Sequence, residues 1–180
     1  MMLDSIPNLP VLKAERFMLR PIRKSDEGLL SLYAADERVA RMTRSIPHPL
    51  PPGAMAAFTR RYLAEDRPGD VWVMDGTASG AGEMLGLMLL EPLGRDQSEI
   101  SYMVAPAFWN TGIATEALQT VLDANPHDAA QICAEVFQDN PGSARVLTNC
   151  GFDYLGDAEA HSVARGAMVP TWTYLRKMRP

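Results

Sequence analysis

Apolar and polar residues roughly alternate along "RFMLRPI", so Arg16 to Ile22 reads as a strand. The period then lengthens. "KSDEGLLSLYAADERVARM" reads as a helix from Lys24 to Met42, with Leu29, Leu30 and Tyr33 on one face. Ser25 fits its N-cap, with acidic residues in the first turn. "TRSIPHPLPPG" holds Pro47, Pro49, Pro51 and Pro52 and must be an irregular connection. Pro52 fits the first position of a second helix, "AMAAFTRRYLAED". "DVWVMDGTASGAGEMLGLMLLEP" reads as two strands whose turn falls between Asp75 and Gly82. "QSEISYMVAP" is a further strand, ended by Pro106.

The second half alternates element types. A helix runs from about Gly112 to Ala124, with Ala114, Ala117, Leu118, Val121 and Leu122 as its apolar stripe. "AAQICAEVF" is a strand. "NPGSARVLTNCGF" is a helix with Asn140 as N-cap, Pro141 at its first position and Gly151 as its stop. "GFDYLGD" and "MVPTWTYLRKM" are the last strands, and Pro170 suits a strand start or an exposed edge. Three strands in a row make an antiparallel meander, and the following β-α-β can pair in parallel. This predicts an α/β (α+β) class, with a mixed, mostly antiparallel central sheet and helices on both faces.

Length and composition narrow the class. A chain of 180 residues suits one domain, 1–180, and can bury a core without disulfides. The net charge of -5 argues against a broad grip on nucleic acid. No stretch approaches the ~20 apolar residues of a membrane span. The N-terminal "MMLDSIPNLPVLKAERF" lacks the basic start and apolar run of a signal peptide. Cys133 and Cys150 fit no metal motif and read as small apolar filler, so a cytoplasmic setting is the default expectation. His48, His127 and His161 are isolated and show no metal spacing, so no metal is expected.

The stretch "AFWNTGIATEAL" lies where a strand gives way to a helix. Unpaired N–H groups and the helix dipole make such an end a ready anion site. Gly112 permits close backbone approach, and Thr111 and Thr115 can add hydroxyl donors. No lysine follows the glycine and there is no GxGxxG, which excludes a P-loop and leaves a dinucleotide site unsupported. On local physics alone, an ordinary helix start is the better reading of the stretch.

The ordered tract "SEISYMVAPAFWNTGIATEAL…AEVFQDNPGSARVLTNCGF" resembles the GNAT superfamily of acyl-CoA N-acyltransferases. Within it, the tract is similar to the subgroup that includes the ribosomal-protein N-terminal acetyltransferases, and "ERFMLRPIRKSD" matches that subgroup's beginning. The resemblance implies a splayed parallel strand pair with the pantetheine of acetyl-CoA lying in the gap. It implies that Tyr102, Met103 and Val104 supply backbone partners to pantetheine. Trp109, Asn110, Thr111, Gly112, Ile113, Ala114 and Thr115 would form the pyrophosphate loop. Two departures stand out: Asn110 replaces the subgroup's usual glycine, and Leu147 stands where many superfamily members carry a tyrosine. The implied reaction is transfer of an acetyl group to a primary amine.

Glu99 is the candidate base, because it begins the strand that runs to this loop; it reads equally as an exposed strand-end charge. Asn140 is a helix cap whose amide, by the resemblance, also binds pantetheine. By the same resemblance Ser143 is the candidate hydroxyl near the sulfur; read on its own it is a solvent-facing first-turn serine. Glu116 reads as a dipole-stabilising residue and Glu135 as a partly exposed strand carboxylate. The resemblance implies that the acceptor, a protein N-terminus or a small-molecule amine, is bound by segments 29–61 and 157–169. A non-catalytic acyl-CoA-binding module is the alternative, and a homodimer through a helix or the last strand stays open.

Overall fold

The computed structural model describes residues 8–178. The leader reading of Met1 to Pro7 lies outside them. Eight strands form one sheet in the order β1-β2-β3-β4-β5-β6-β8-β7. They are β1 (Leu12–Lys13), β2 (Met18–Pro21), β3 (Asp70–Asp75), β4 (Gly86–Gly94), β5 (Gln97–Val104), β6 (Gln131–Phe137), β7 (Asp153–Ser162) and β8 (Ala167–Lys177). All neighbours are antiparallel except β5 and β6. β1 has two residues, too few for a periodic signal.

Helices cover both faces, as the alternation in β3 requires. Trp72 and Met74 join one core cluster with helices α4 (Ile113–Ala124) and α5 (Pro141–Asn149). Val71 and Val73 join the other, with α1 (Glu27–Ala34) and α3 (Ala54–Leu63). A strand covered on both sides must be apolar at every position, and Val71 to Met74 are at most 1% exposed.

The long helix expected over 24–42 is broken. It becomes a 3-10 turn at Lys24–Asp26, then α1, then a one-turn α2 (Glu37–Ala40). The Asp36 carboxylate accepts from the Arg38 N–H at 2.9 Å and restarts the helix. Ser25 lies inside the 3-10 turn and is not the cap. Asp26 precedes α1 but makes no side-chain bond into it; its carboxylate turns back to accept from the Arg23 N–H at 2.7 Å and from the buried Arg20 guanidinium at 2.8 and 3.0 Å. Such charge-assisted bonds are stronger than those of a neutral hydroxyl. Pro52 does not open α3; Gly53, at φ 77°, precedes Ala54 instead.

Pro170 lies three residues inside β8, a strand between two neighbours. The β6 pairing ends at Phe137 and Thr171, and the Pro170 C=O accepts from the Gln138 N–H at 3.0 Å. The missing N–H therefore faces the side that β6 has already left, so no ladder bond is lost.

Candidate active site

β5 and β6 pair only at Gln97, Ser98 and Glu99 with Gln131, Ile132 and Cys133. Beyond these residues β5 stays with β4 to Val104, and β6 stays with β8 to Phe137. The two strands part, and a gap opens between them. The Ala105 N–H donates to Leu85 on the β4 side. By the period of two, Tyr102 and Val104 present their backbone groups to the gap, and Met103 presents its own to β4. The Val104 C=O accepts from the Trp109 indole N–H at 2.7 Å.

The loop at the mouth of the gap is built from two left-handed residues, Asn110 at φ 60° and Gly112 at φ 79°. This explains the expectation of glycine at 110: the backbone there is one that asparagine tolerates better than most residues with a Cβ. The first intrahelical bond of α4 is Glu116 N–H to Gly112 C=O, so the N–H groups of Ile113, Ala114 and Thr115 have no helical partner. The Thr111 hydroxyl donates to the Phe108 C=O at 2.5 Å, which commits it to the loop rather than to an anion.

Arg16 braces this loop, a role its place before β2 did not reveal. Its guanidinium donates to the Thr111 C=O at 2.9 Å and to the Glu116 carboxylate at 2.6 Å. Glu116 thus supports the loop and stays outside the gap. An open cavity of about 380 Å³ beside it is lined by Arg16, Ser79, Leu85, Phe108 and Thr111 among others. None of its lining residues comes from β6 or α5, so it is not the gap itself.

Strand parity puts different chemistry on the two faces of the gap. Glu99 shares the α1/α3 face with Glu91, opposite it on β4, and with Cys133 and Glu135 on β6. Arg44, from the connection between α2 and α3, reaches down to this face. Its Nη2 lies 2.5 Å from Glu99 and its Nη1 3.4 Å from Glu135. Burial alone would lower the Arg44 pKa; Glu99 and Glu135 outweigh it and hold it raised. The Glu91 carboxylate accepts from the Tyr62 hydroxyl at 2.7 Å. Cys133 is half-buried rather than buried, and burial with the nearby Glu99 charge pushes its thiol up. Glu135, read from sequence as a bland strand carboxylate, belongs to this cluster. Arg44 lay within the expected acceptor segment 29–61, but no local pattern singled it out.

The roof over this face is closed by the turn after β7. The Val163 N–H donates to the Arg44 C=O at 3.1 Å. Arg165 donates to the Arg41 C=O at 2.9 Å and to both oxygens of Asp139 at 2.6 and 3.0 Å. The two segments expected at the acceptor mouth therefore meet. His161, within the second of them, is on strand β7, which runs on past the Asp157 end expected from sequence.

On the α4/α5 face, Tyr102 reaches across to α5. Its hydroxyl donates to the Ser143 C=O at 3.1 Å and accepts from the Ser143 hydroxyl at 3.0 Å. Ser143 is thus not a solvent-facing serine. Asn140 Oδ1 accepts from the Ser143 N–H at 3.4 Å, the cap expected of it, and its Nδ2 points no bond into the helix. Leu147 is fully buried.

His127 is not isolated. It bridges Ser98 at 2.9 Å and Asp70 at 2.7 Å. The trio has the residue types of a hydrolase triad, but Ser98 is 1% exposed and no substrate reaches it. Among the described residues no cluster of histidine, cysteine, aspartate and glutamate could hold a metal ion. No helix among them is long and apolar enough to cross a membrane.

Comparisons with known proteins agree with this layout. Residues 16–153 match the acetyltransferase (GNAT) domain family. An uncharacterised N-acetyltransferase, YoaA of Bacillus subtilis, is 24% identical over 170 residues, covering 92% of this chain and 95% of that protein. Among solved structures, the ribosomal L7/L12 alpha-N-protein acetyltransferase RimL in complex with coenzyme A superposes with a TM-score of 0.79 at 15% identity, covering 93% of this chain and 98% of that one. The spermidine N-acetyltransferase of Vibrio cholerae, in complex with CoA and spermine, gives 0.76 at 15% identity, covering 91% and 96%.

Proposed function

The chain belongs to the GNAT acetyltransferase family, and on that premise we propose that it moves an acetyl group from acetyl-CoA to a primary amine by direct attack on the thioester. One observation carries this reading. The gap between β5 and β6 has a carboxylate, Glu99, on one face and a hydroxyl, Ser143, on the other. A thioester carbonyl lying in that gap is flanked by a proton acceptor and a hydrogen-bond donor.

The fit of CoA rests on this chain's own groups. The backbone of Tyr102 and the Val104 N–H offer an extended pantetheine a strand edge, a form of strand addition. The left-handed turn at Asn110 and Gly112, with the N–H groups of Ile113, Ala114 and Thr115, suits a pyrophosphate. The Asn140 Nδ2 is free of the cap and can serve pantetheine.

In the reaction the amine nitrogen bonds the carbonyl carbon and the C–S bond breaks, its electron pair leaving on sulfur. A cationic acceptor first yields its ammonium proton to Glu99, directly or through water; the proton that nitrogen sheds on bonding the carbonyl carbon passes to water, and sulfur takes one by way of Ser143. The floor of this face sets Glu91, Glu99 and Glu135 against Arg44, and in the roof Arg41 and Arg165 pair with Asp139; the net negative charge favours a cationic acceptor: a protein N-terminus or a small amine. The acceptor class is tested by assaying CoA release over a panel of amines and N-terminal peptides. Binding of CoA with no release from acetyl-CoA across the panel would replace this reading by a non-catalytic acyl-CoA module, the alternative that Leu147 keeps open.

A further inference from the structure

The two hydroxyls of Tyr102 and Ser143 form a reciprocal pair across the gap. Tyr102 stands on β5 and Ser143 on the first turn of α5, which follows β6 directly. Each residue both donates and accepts: the phenol to the Ser143 C=O at 3.1 Å, the serine hydroxyl to the phenol oxygen at 3.0 Å. A first-turn serine with no such partner would distribute over its three staggered rotamers. Here one rotamer is held by a ring anchored on another strand.

We propose that Tyr102 is a positioning residue for acetyl transfer, its hydroxyl fixing the Ser143 Oγ at the point where the thiolate departs. This rests on the acetyl-transfer reading above. Tyr102 Oη lies within hydrogen-bond reach of both the Ser143 Oγ and the Ser143 C=O. When Ser143 turns its proton toward sulfur, the phenol O–H turns from that carbonyl to the Ser143 Oγ it faces. The hydrogen bonds exchange while the heavy atoms stay in place. Ser143 gives its proton to sulfur and recovers one from water, so no proton is drawn from the phenol. Burial pushes the Tyr102 pKa up, in keeping with a group that donates a hydrogen bond and does not ionise.

The test is Tyr102→Phe, which keeps the ring and removes only the hydroxyl, alongside Ser143→Ala and the double variant. Steady-state rates are measured with whichever amine the wild type uses, together with CoA affinity by calorimetry and thermal melting. The expected result is a roughly tenfold lower kcat for Tyr102→Phe, with KM for acetyl-CoA and CoA affinity unchanged. The double variant should be no slower than Ser143→Ala, because the phenol acts only through the serine. An unchanged kcat, losses that multiply in the double variant, or a loss of CoA affinity equal to the loss of rate would each overturn the proposal. So would failure of Tyr102→Phe to fold, which would make the hydroxyl a structural need. A wild type that turns over no amine sinks the acetyl-transfer reading and this one with it; an active wild type with an unaffected Tyr102→Phe sinks this one alone.

Discussion

Arg44 places its guanidinium 2.5 Å from the Glu99 carboxylate, across a sequence separation of 55 residues. The candidate base is therefore already occupied by a cation, and an incoming amine must take that cation's place. The Arg44 C=O is in turn held by the Val163 N–H of the roof. One residue thus joins the roof of the acceptor face to its floor.

Glu99→Gln keeps the shape and removes the basic oxygen. We expect kcat/KM to fall by roughly 100-fold or more, the usual scale for losing a general base. Arg44→Gln should act in the opposite direction on the acceptor alone, lowering the acceptor KM while KM for acetyl-CoA stays unchanged. Steady-state kinetics with each substrate varied in turn separate the two effects. An acceptor KM that rises in Arg44→Gln would mean that Arg44 binds the acceptor rather than yields to it.

The loop at 110 is open to a conformational test. Asn110 holds φ 60°, a conformation that glycine adopts at no steric cost. Asn110→Gly should leave the fold intact and bind CoA at least as tightly. Asn110→Val should weaken CoA binding, because a β-branched residue strains most in that region. Calorimetric titration with CoA reads both, and equal affinities across the three proteins would contradict the loop's assignment.

Arg20 is 6% exposed and bonds both Asp26 and Asp75. Arg20→Ala would leave the buried Asp26 without its cation, and the expected loss of stability is about 3–5 kcal/mol. Denaturant melts measure it. A loss under ~1 kcal/mol, the scale of an exposed ion pair, would show that the network carries little of the fold.

Acid should unfold the protein through Asp70 and Asp75. Burial alone would lift the Asp70 pKa; hydrogen bonds from His127 and Arg67 outweigh it and hold the group below its ordinary value. Asp75 is lowered against burial in the same way by Thr77 and Arg20. A depressed carboxylate binds fewer protons when folded than when unfolded. Its contribution is therefore complete above the unfolded pKa of about 3.9 and is lost as pH falls through the folded value. Melting temperature measured against pH should drop below about pH 4 and drop less steeply in Asp70→Asn. Equal slopes would dismiss Asp70 as a contributor.

Much of the layout is legible in local sequence. Periods of two and of about three and a half marked most strands and helices, and Asn140 with Pro141 marked the start of α5. Both are signals carried by residues a few positions apart. The break between α1 and α2 was harder to see, because the apolar pattern runs through it while Asp36 caps its own neighbour. Ser25 fell inside a 3-10 turn instead of capping, a turn pinned by the Asp26 carboxylate on the buried Arg20 of β2.

What the sequence by itself determined is most of the elements, their order and the stretch that turns from strand to helix at Gly112. Those follow from backbone sterics and from contacts within one turn or one strand. Only the tertiary structure decided which side chains meet: Arg44 with Glu99 and Glu135, Tyr102 with Ser143, Arg16 with Glu116, and His127 with Asp70. These partners lie 41 to 100 residues apart along the chain. The parting of β5 and β6 after Glu99 sets the gap, and strand parity then assigns each side chain to a face. No local pattern encodes such a meeting, because its energy is realised only when the sheet has brought distant strands side by side.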